Sequence, residues 1–353
     1  MKQLLDDPLG YNDHIRRYST GVILLSVFGI LETGATPPID VFPFLKYMPD
    51  FMSPWRKWAL EIRTKQRTLY FDLLNQVKEN IATGNYNGCF MEKLLPDKNH
   101  AIDDEHLEYI GGVLMEGGSD TTSSTLLSFI LAMVKYPDDL KKAHEEADRV
   151  CGENRSPTFA DLPDILYIRA CVSEVLRWRP VAAGGIPHQL IQDDMYNGYI
   201  FPKGRIFVAN TWSIHHDPDL YDKPDEFIPE RYLRNEMGFR TGVTDIDGIR
   251  KTYAFGAGRR ICPGQHLAEN SLLINIAKLV WAFEFLPGKN PVTGEPLSKD
   301  AIDTSVVTAW TDGFLTAPIK FPLQIAVRSS NHAEVITRES NTSGEAFDDL
   351  HGK

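Results

Sequence analysis

Apolar positions between Trp58 and Ile81 recur at helical spacing, and a longer periodic run reaches from Asp104 to Lys135. Asp138 to Val150 is charged and predicts a helix. Pro137 is placed to open it, because the first helical position has no use for its N–H. Another helix is predicted over Asp164 to Trp178, stopped by Pro180. The texture then changes. Ile186 to Val208 carries short runs of β-type residues, broken by Asn197-Gly198 and Lys203-Gly204, which read as turns. Leu267 to Phe283 returns to helix, and Asn290 to Val327 predicts short strands and loops. Beyond Arg328 the residues become polar, with Ser329, Ser330, Asn331, Asn341, Ser343 and Gly344, which predicts a disordered tail over 329–353. The pattern as a whole predicts a mainly α fold with a minor β part, in one domain over 1–328.

Composition narrows the function classes. The chain has 353 residues, 42% hydrophobic and 24% charged, which is ordinary globular usage. The net charge of −11 argues against sequence-independent nucleic-acid binding. Cys89, Cys151, Cys171 and Cys262 lie far apart with no C-x-x-C pair. That excludes a disulfide scaffold and a zinc ribbon and suits a reducing compartment. Met1 is followed at once by Lys2, Gln3, Asp6 and Asp7, which is no secretory signal. The longest apolar stretch, Val22 to Leu31, is about half of what a bilayer needs. The chain by itself reads as soluble and cytoplasmic, so the glycosylation sequons at Asn154 and Asn341 are expected to be chance matches.

The most specific stretch is Phe255-Gly256-Ala257-Gly258-Arg259-Arg260-Ile261-Cys262-Pro263-Gly264. A glycine-rich loop carries one cysteine and then enters a helix beginning near Gly264. A thiolate there would lie near helix amides and two arginines, all of which favour an anion. Gly258 and Gly264 let the backbone turn tightly and approach a flat ligand. The other three cysteines read as buried structural residues.

This stretch matches F-x-x-G-x-R-x-C-x-G and so resembles the haem-binding signature of the cytochrome P450 family, the haem-thiolate monooxygenases. The resemblance implies haem b (iron protoporphyrin IX) with Cys262 as the axial iron ligand. It implies that Phe255 packs beside the sulfur and that Arg260 pairs with a haem propionate. Gly117-Gly118-Ser119-Asp120-Thr121-Thr122 is poor helix interior, and by itself reads as a weak or kinked helix. In the family the similar segment crosses the distal face of the haem, which makes Asp120 and Thr121 the acid–alcohol pair that relays protons. Glu174 and Arg177 at i, i+3 are uninformative alone. With Phe227-Ile228-Pro229-Glu230-Arg231-Tyr232 downstream, they resemble the family's buried charge network, Arg231 being the third member. By the same resemblance His188 contacts a propionate. His215-His216-Asp217 looks like a metal cluster, but adjacent histidines cannot easily face one ion and no third ligand spacing supports a site.

The resemblance covers about Asp6 to Val327 and starts late relative to the family pattern, so the chain is expected to be the C-terminal two-thirds of the P450 fold, N-terminally truncated, from a eukaryotic source, a fungus being one candidate. It implies insertion of one atom of O2 into a hydrophobic small molecule, in secondary metabolism, with electrons from an NADPH-dependent reductase. Gly256-Ala257-Gly258 does not open a dinucleotide fingerprint, so the reductase is a separate partner, and nucleic acid is not one. Longer relatives are expected at the endoplasmic reticulum membrane. Val113 to Glu116, Val181 to Ile186 and Trp310 to Thr316 are expected to line the substrate pocket. Two rivals remain: a haem-thiolate isomerase or dehydratase, against which Asp120-Thr121 argues, and a non-catalytic remnant unable to hold haem.

Overall fold

The computed structural model describes residues 1–18, 44, 47–86, 88–95, 102–243, 249–290 and 293–350. The apolar stretch Val22 to Leu31 lies outside the described residues. The helices are α1 (Lys2–Asp6), α2 (Tyr11–Tyr18), α3 (Pro54–Thr83), α4 (Phe90–Leu94), α5 (Asp104–Lys135), α6 (Pro137–Cys151) and α7 (Leu166–Trp178). Strands β1 (His188–Gln189), β2 (Asp194–Tyr196), β3 (Tyr199–Phe201) and β4 (Ile206–Phe207) follow. Helices α8 (Thr211–His215), α9 (Glu230–Arg234) and α10 (Gln265–Ala282) come next, then β5 (Phe283–Pro287), β6 (Leu323–Val327) and α11 (Ser330–Leu350). The predicted mainly α fold with a minor β part is what forms.

The chain divides into two contact units: Met1–Ile15 with Thr121–Asn341, and Arg16–Asp120 with Thr342–Lys353. The core of the first unit joins Phe129 and Ile130 of α5, Ala143 and Ala147 of α6, Ile168, Val175 and Trp178 of α7, and Ile276 and Trp281 of α10. The Thr121–Lys135 half of α5 is buried almost all round, which matches the absence of any charged side chain before Lys135. Pro137 takes the first helical position of α6, as predicted, with Asp138 and Asp139 in the first turn and Arg149 in the last, complementing the helix dipole. Helix α7 starts two residues later than its sequence suggested, because Phe159–Asp164 forms a 3-10 turn with Pro163 inside it. Its first amides, Tyr167 and Ile168, each donate at 2.9 Å to the carboxylate of Glu146 on α6, which caps one helix with a side chain of another.

The β part is three antiparallel two-stranded ladders: β1 with β4, β2 with β3, and β5 with β6. The turn between β2 and β3 is Asn197-Gly198, both at positive φ (48° and 82°), the geometry that favours a two-residue hairpin. In the third ladder Phe283 and Phe285 pair with Val327 and Ile325.

One expectation is corrected here. The stretch read as a disordered polar tail is helix α11. Val335 and Ile336 are each 1% exposed, within the core of the first unit. Glu339 accepts from the Ser156 N–H at 3.0 Å and its hydroxyl at 2.6 Å, and Arg338 donates to the carbonyl of Asn154 at 2.9 Å. A polar average hid two apolar positions on the inward face, and composition carries no information about faces.

In the second unit, α3 packs beside the Asp104–Asp120 half of α5. Glu116 accepts from the Tyr70 hydroxyl and, at 3.2 Å, from Gln66. Gly112 is needed here, since a Cβ would come within 2.4 Å of the Tyr70 ring. Lys78 pairs with Asp104 at 2.7 Å, and Arg67 with Glu105. Among the described residues no helix is long and apolar enough to cross a membrane.

Candidate active site

Helix α10 is 18 residues long and Gly264 is its N-cap, where the sequence placed the helix start. The loop before it doubles back on itself. The Gly256 N–H donates to the Tyr253 carbonyl at 2.9 Å, and Gly256 stands at φ +76°, a region closed to most L side chains. Gly258, at φ +66°, opens a 3-10 turn through Arg260. The Cys262 N–H then reaches back to the Phe255 carbonyl at 2.8 Å and closes the bend. A Cβ at Gly264 would lie 3.9 Å from the Cys262 sulfur, so the cysteine rests against the first turn of α10. The thiol is free and half-buried. Cys151 and Cys171 are buried, as expected of structural cysteines, whereas Cys89 is only half-buried. Arg259 and Arg260 are exposed, and among the described residues neither pairs with a carboxylate. Phe255, Arg260, Cys262 and Gly264 thus share one bend, while His188 stands exposed on β1, opposite Phe207.

The charge network forms with every member wholly buried. Glu174 accepts from Nε and Nη2 of Arg177, both at 2.8 Å, from Nε of Arg231 at 3.1 Å and from the Ile228 N–H at 2.9 Å. Arg177 spends its remaining donors on the carbonyls of His215 and Pro224, each at 2.9 Å, and of Glu226 at 3.1 Å. Burial works against the Arg177 charge, but the Glu174 carboxylate outweighs it and holds the guanidinium above its ordinary pKa. Arg231 donates to the Asp222 carbonyl at 3.0 Å.

Two of the predicted pocket walls are tied together within the first unit. The Thr316 N–H donates to the Val181 carbonyl at 2.8 Å, and the Trp212 N–H to the Ala183 carbonyl at 2.8 Å. Gly185, at φ +63°, has no room for a Cβ, which would meet the Ala209 carbonyl oxygen at 2.5 Å. Beside them lies a residue that sequence reasoning missed. Arg179 is 7% exposed and is caged by Trp178, Trp310 and Trp212, its guanidinium carbon 4.0, 5.0 and 5.4 Å from their ring centres. It donates to the carbonyls of Trp178 (2.7 Å) and Thr304 (2.8 Å), and burial lowers its pKa to about 10. Its only advance signal was a cation next to a tryptophan. The third predicted wall, Val113 to Glu116, belongs to the second unit, as does Asp120, whereas Thr121 opens the Thr121–Asn341 segment of the first. Within α5 the small polar residues bond along the helix. Ser119 donates to the Met115 carbonyl at 3.1 Å, and Thr125 to that of Thr121 at 2.9 Å.

The sequence profile of the family described as "Cytochrome P450" matches residues 11–303. The chain belongs to the cytochrome P450 family. It is 38% identical to cytochrome P450 monooxygenase atE of Aspergillus terreus, over 98% of this chain and 68% of that protein. It is 39% identical to cytochrome P450 monooxygenase patI of Penicillium expansum, over 98% and 69%. Among solved structures, a zebrafish cytochrome P450 determined with abiraterone superposes with a TM-score of 0.63 at 26% identity, over 76% of this chain and 59% of that one. This P450 chain therefore spans about two-thirds of the curated relatives and less of the solved chain.

Membership implies a haem iron, and the residues fit one. A single soft sulfur is offered at the positive end of a long helix, where an anion is favoured. The glycines keep the backbone on either side of it free of side chains, and two exposed guanidiniums in the same bend suit carboxylates. His215 and His216 are committed elsewhere. His215 Nε2 accepts from the Tyr253 N–H at 3.0 Å, and His216 stacks on Trp212 with ring centres 3.6 Å apart.

Proposed function

We propose that this P450 holds haem b through the Cys262 thiolate and serves a monooxygenase that oxygenates a hydrophobic small molecule in fungal secondary metabolism. The geometry of the Cys262 loop carries this reading: positive-φ glycines, the bond from the Cys262 N–H to Phe255, and the helix start at Gly264. When bound, the haem supplies activation of O2 and insertion of one oxygen atom, with the second reduced to water.

The protein's own residues do the rest. Cys262 would hold the iron through its thiolate, and Phe255 would shield that sulfur. Arg260 and His188 would hold the haem propionates, Arg260 by matching a planar fork to a carboxylate. Gly264 keeps the sulfur's side of the helix open. Asp120 and Thr121 would hold a proton at carboxyl and hydroxyl and pass it on from there. Glu174, Arg177 and Arg231 brace the segments from which the loop departs. The walls Val181 to Ile186 and Trp310 to Thr316, joined by the bond from the Thr316 N–H to the Val181 carbonyl, exclude water and favour an apolar substrate. Electrons come from an NADPH-dependent reductase, drawn to the Arg259 and Arg260 face by an acidic patch of its own. The longer proteins of this type work at the endoplasmic reticulum membrane. Support comes from the family match and from fungal relatives named as monooxygenases.

The test is reconstitution of the purified chain with hemin, followed by an absorbance spectrum of the reduced, carbon monoxide form. A thiolate-type Soret band, abolished by Cys262→Ala, is expected. A band that survives the substitution removes Cys262 as the ligand, and no band at all leaves a non-catalytic remnant.

A further inference from the structure

His215 does something that its neighbours in the His215-His216-Asp217 cluster do not. It ends the short helix α8 and is 1% exposed. Its backbone carbonyl accepts from Nη1 of Arg177 at 2.9 Å, so the position of the residue is set by the buried charge network. Its ring Nε2 accepts from the Tyr253 N–H at 3.0 Å. An accepting Nε2 leaves the ring proton on Nδ1, and that atom is buried without a partner among the described residues. All of the ring's polar contact is therefore directed at one amide.

That amide is the base of the cysteine loop. The carbonyl of Tyr253 takes the turn-closing bond from Gly256 at 2.9 Å, and two residues later Phe255 takes the bond from Cys262 at 2.8 Å. An unbroken series of contacts runs from Glu174 through Arg177 and His215 to Tyr253 and the loop. His216 takes no part, since its Nδ1 is bonded to the Trp212 carbonyl at 3.0 Å.

We propose that His215 is a positioning residue for the cysteine ligand: a rigid neutral acceptor, anchored by Arg177 through its own carbonyl, that holds the Tyr253 amide and so sets the register of the loop carrying Cys262. An imidazole suits the task because its ring places an acceptor at a fixed distance from the backbone with only two rotatable bonds. Protonation would replace the acceptor with a donor facing an N–H. Burial and the nearby Arg177 guanidinium oppose that, lowering the His215 pKa to about 3. The consequence for haem rests on Cys262 being the iron ligand, but the holding of the loop does not.

The experiment is hydrogen exchange, read by mass spectrometry on the full chain without haem, for His215→Leu, His215→Asn and His215→Gln. Gln can place a carbonyl oxygen near the site of Nε2, whereas the Asn carbonyl falls short of it and Leu has no acceptor. Peptides covering 249–256 are expected to exchange about tenfold faster in the Leu and Asn variants and within about threefold of the parent in Gln, while peptides over 166–178 stay unchanged. Should Leu not fold, the Asn and Gln pair decides. Parental exchange in the Asn variant, loss of protection in Gln equal to that in Asn, or equal loss across 166–178 overturns the proposal. Loaded with hemin, the Asn variant is expected to shift the reduced carbon monoxide spectrum from the thiolate-type toward the thiol-type band, with Gln restoring it. Survival of the band in Cys262→Ala would remove the haem consequence and leave the exchange result standing.

Discussion

Glu174 accepts four hydrogen bonds while fully buried, two of them from one guanidinium. Removing a partner from such a group leaves a charge that neither water nor protein satisfies. Arg177→Leu is therefore expected to cost about 3–5 kcal/mol, read as a fall in the denaturant midpoint. A midpoint within error of the parent would show the network to be dispensable. His215 predicts a pH dependence of stability. Its folded pKa, about 3, lies below the unfolded value of 6.5, so the unfolded chain binds the extra proton. The contribution is complete above pH 6.5 and is lost as pH falls toward 3, by up to about 1.4 kcal/mol per pH unit. Unfolding titrations of His215→Gln should show a shallower slope between those limits than the parent. The charge network was legible only through the resemblance of Glu174, Arg177 and Arg231 to the family's, and the role of the His215 ring was not legible at all. Two charges three residues apart are common on exposed helices, and two adjacent histidines looked like a decoy for metal. Only the burial of Arg177 and the direction of the His215 ring distinguish these residues from bland ones.

Elements followed from pattern where local sequence decides them. Helix α5 has the predicted ends, and Pro137 opens α6 because a proline is compatible with only one end of a helix. The α10 start at Gly264 was also legible, since the loop glycines and Pro263 cannot continue a helix backward. Helix α11 was not. Its stability comes from Val335 and Ile336 meeting the core of the first unit, a contact invisible in a polar composition. Ile336→Ala is expected to cost about 2–4 kcal/mol, where a disordered tail would lose nothing. A thermal melt of the variant that matches the parent would put residues 330–341 outside the core.

At the scale of the molecule, the β2–β3 hairpin presents Met195, Tyr196, Tyr199 and Ile200 to solvent, each 68–76% exposed. Large exposed apolar side chains on a short hairpin favour association. Replacing Met195 and Ile200, which face each other in the ladder, with lysine is expected to reduce light scattering at matched concentration without lowering the melting temperature. Scattering that persists unchanged would locate association elsewhere. The two contact units carry different parts of the proposed chemistry. Cys262, Arg260, His188 and the charge network belong to the unit that includes Thr121, and Asp120 and the Val113 to Glu116 stretch belong to the other.

The cysteine loop proposed to hold haem was readable from the order of its residues, because a backbone bend that admits a flat ligand demands glycine, and a soft anionic donor demands cysteine, at fixed separations along the chain. The helices were readable for a similar reason, since periodicity and proline placement are local. Tertiary structure alone decided that Arg179 is buried within three tryptophans and that His215 holds an amide 38 residues away. Those outcomes depend on the desolvation and alignment of groups distant in sequence, and no spacing along the chain records either.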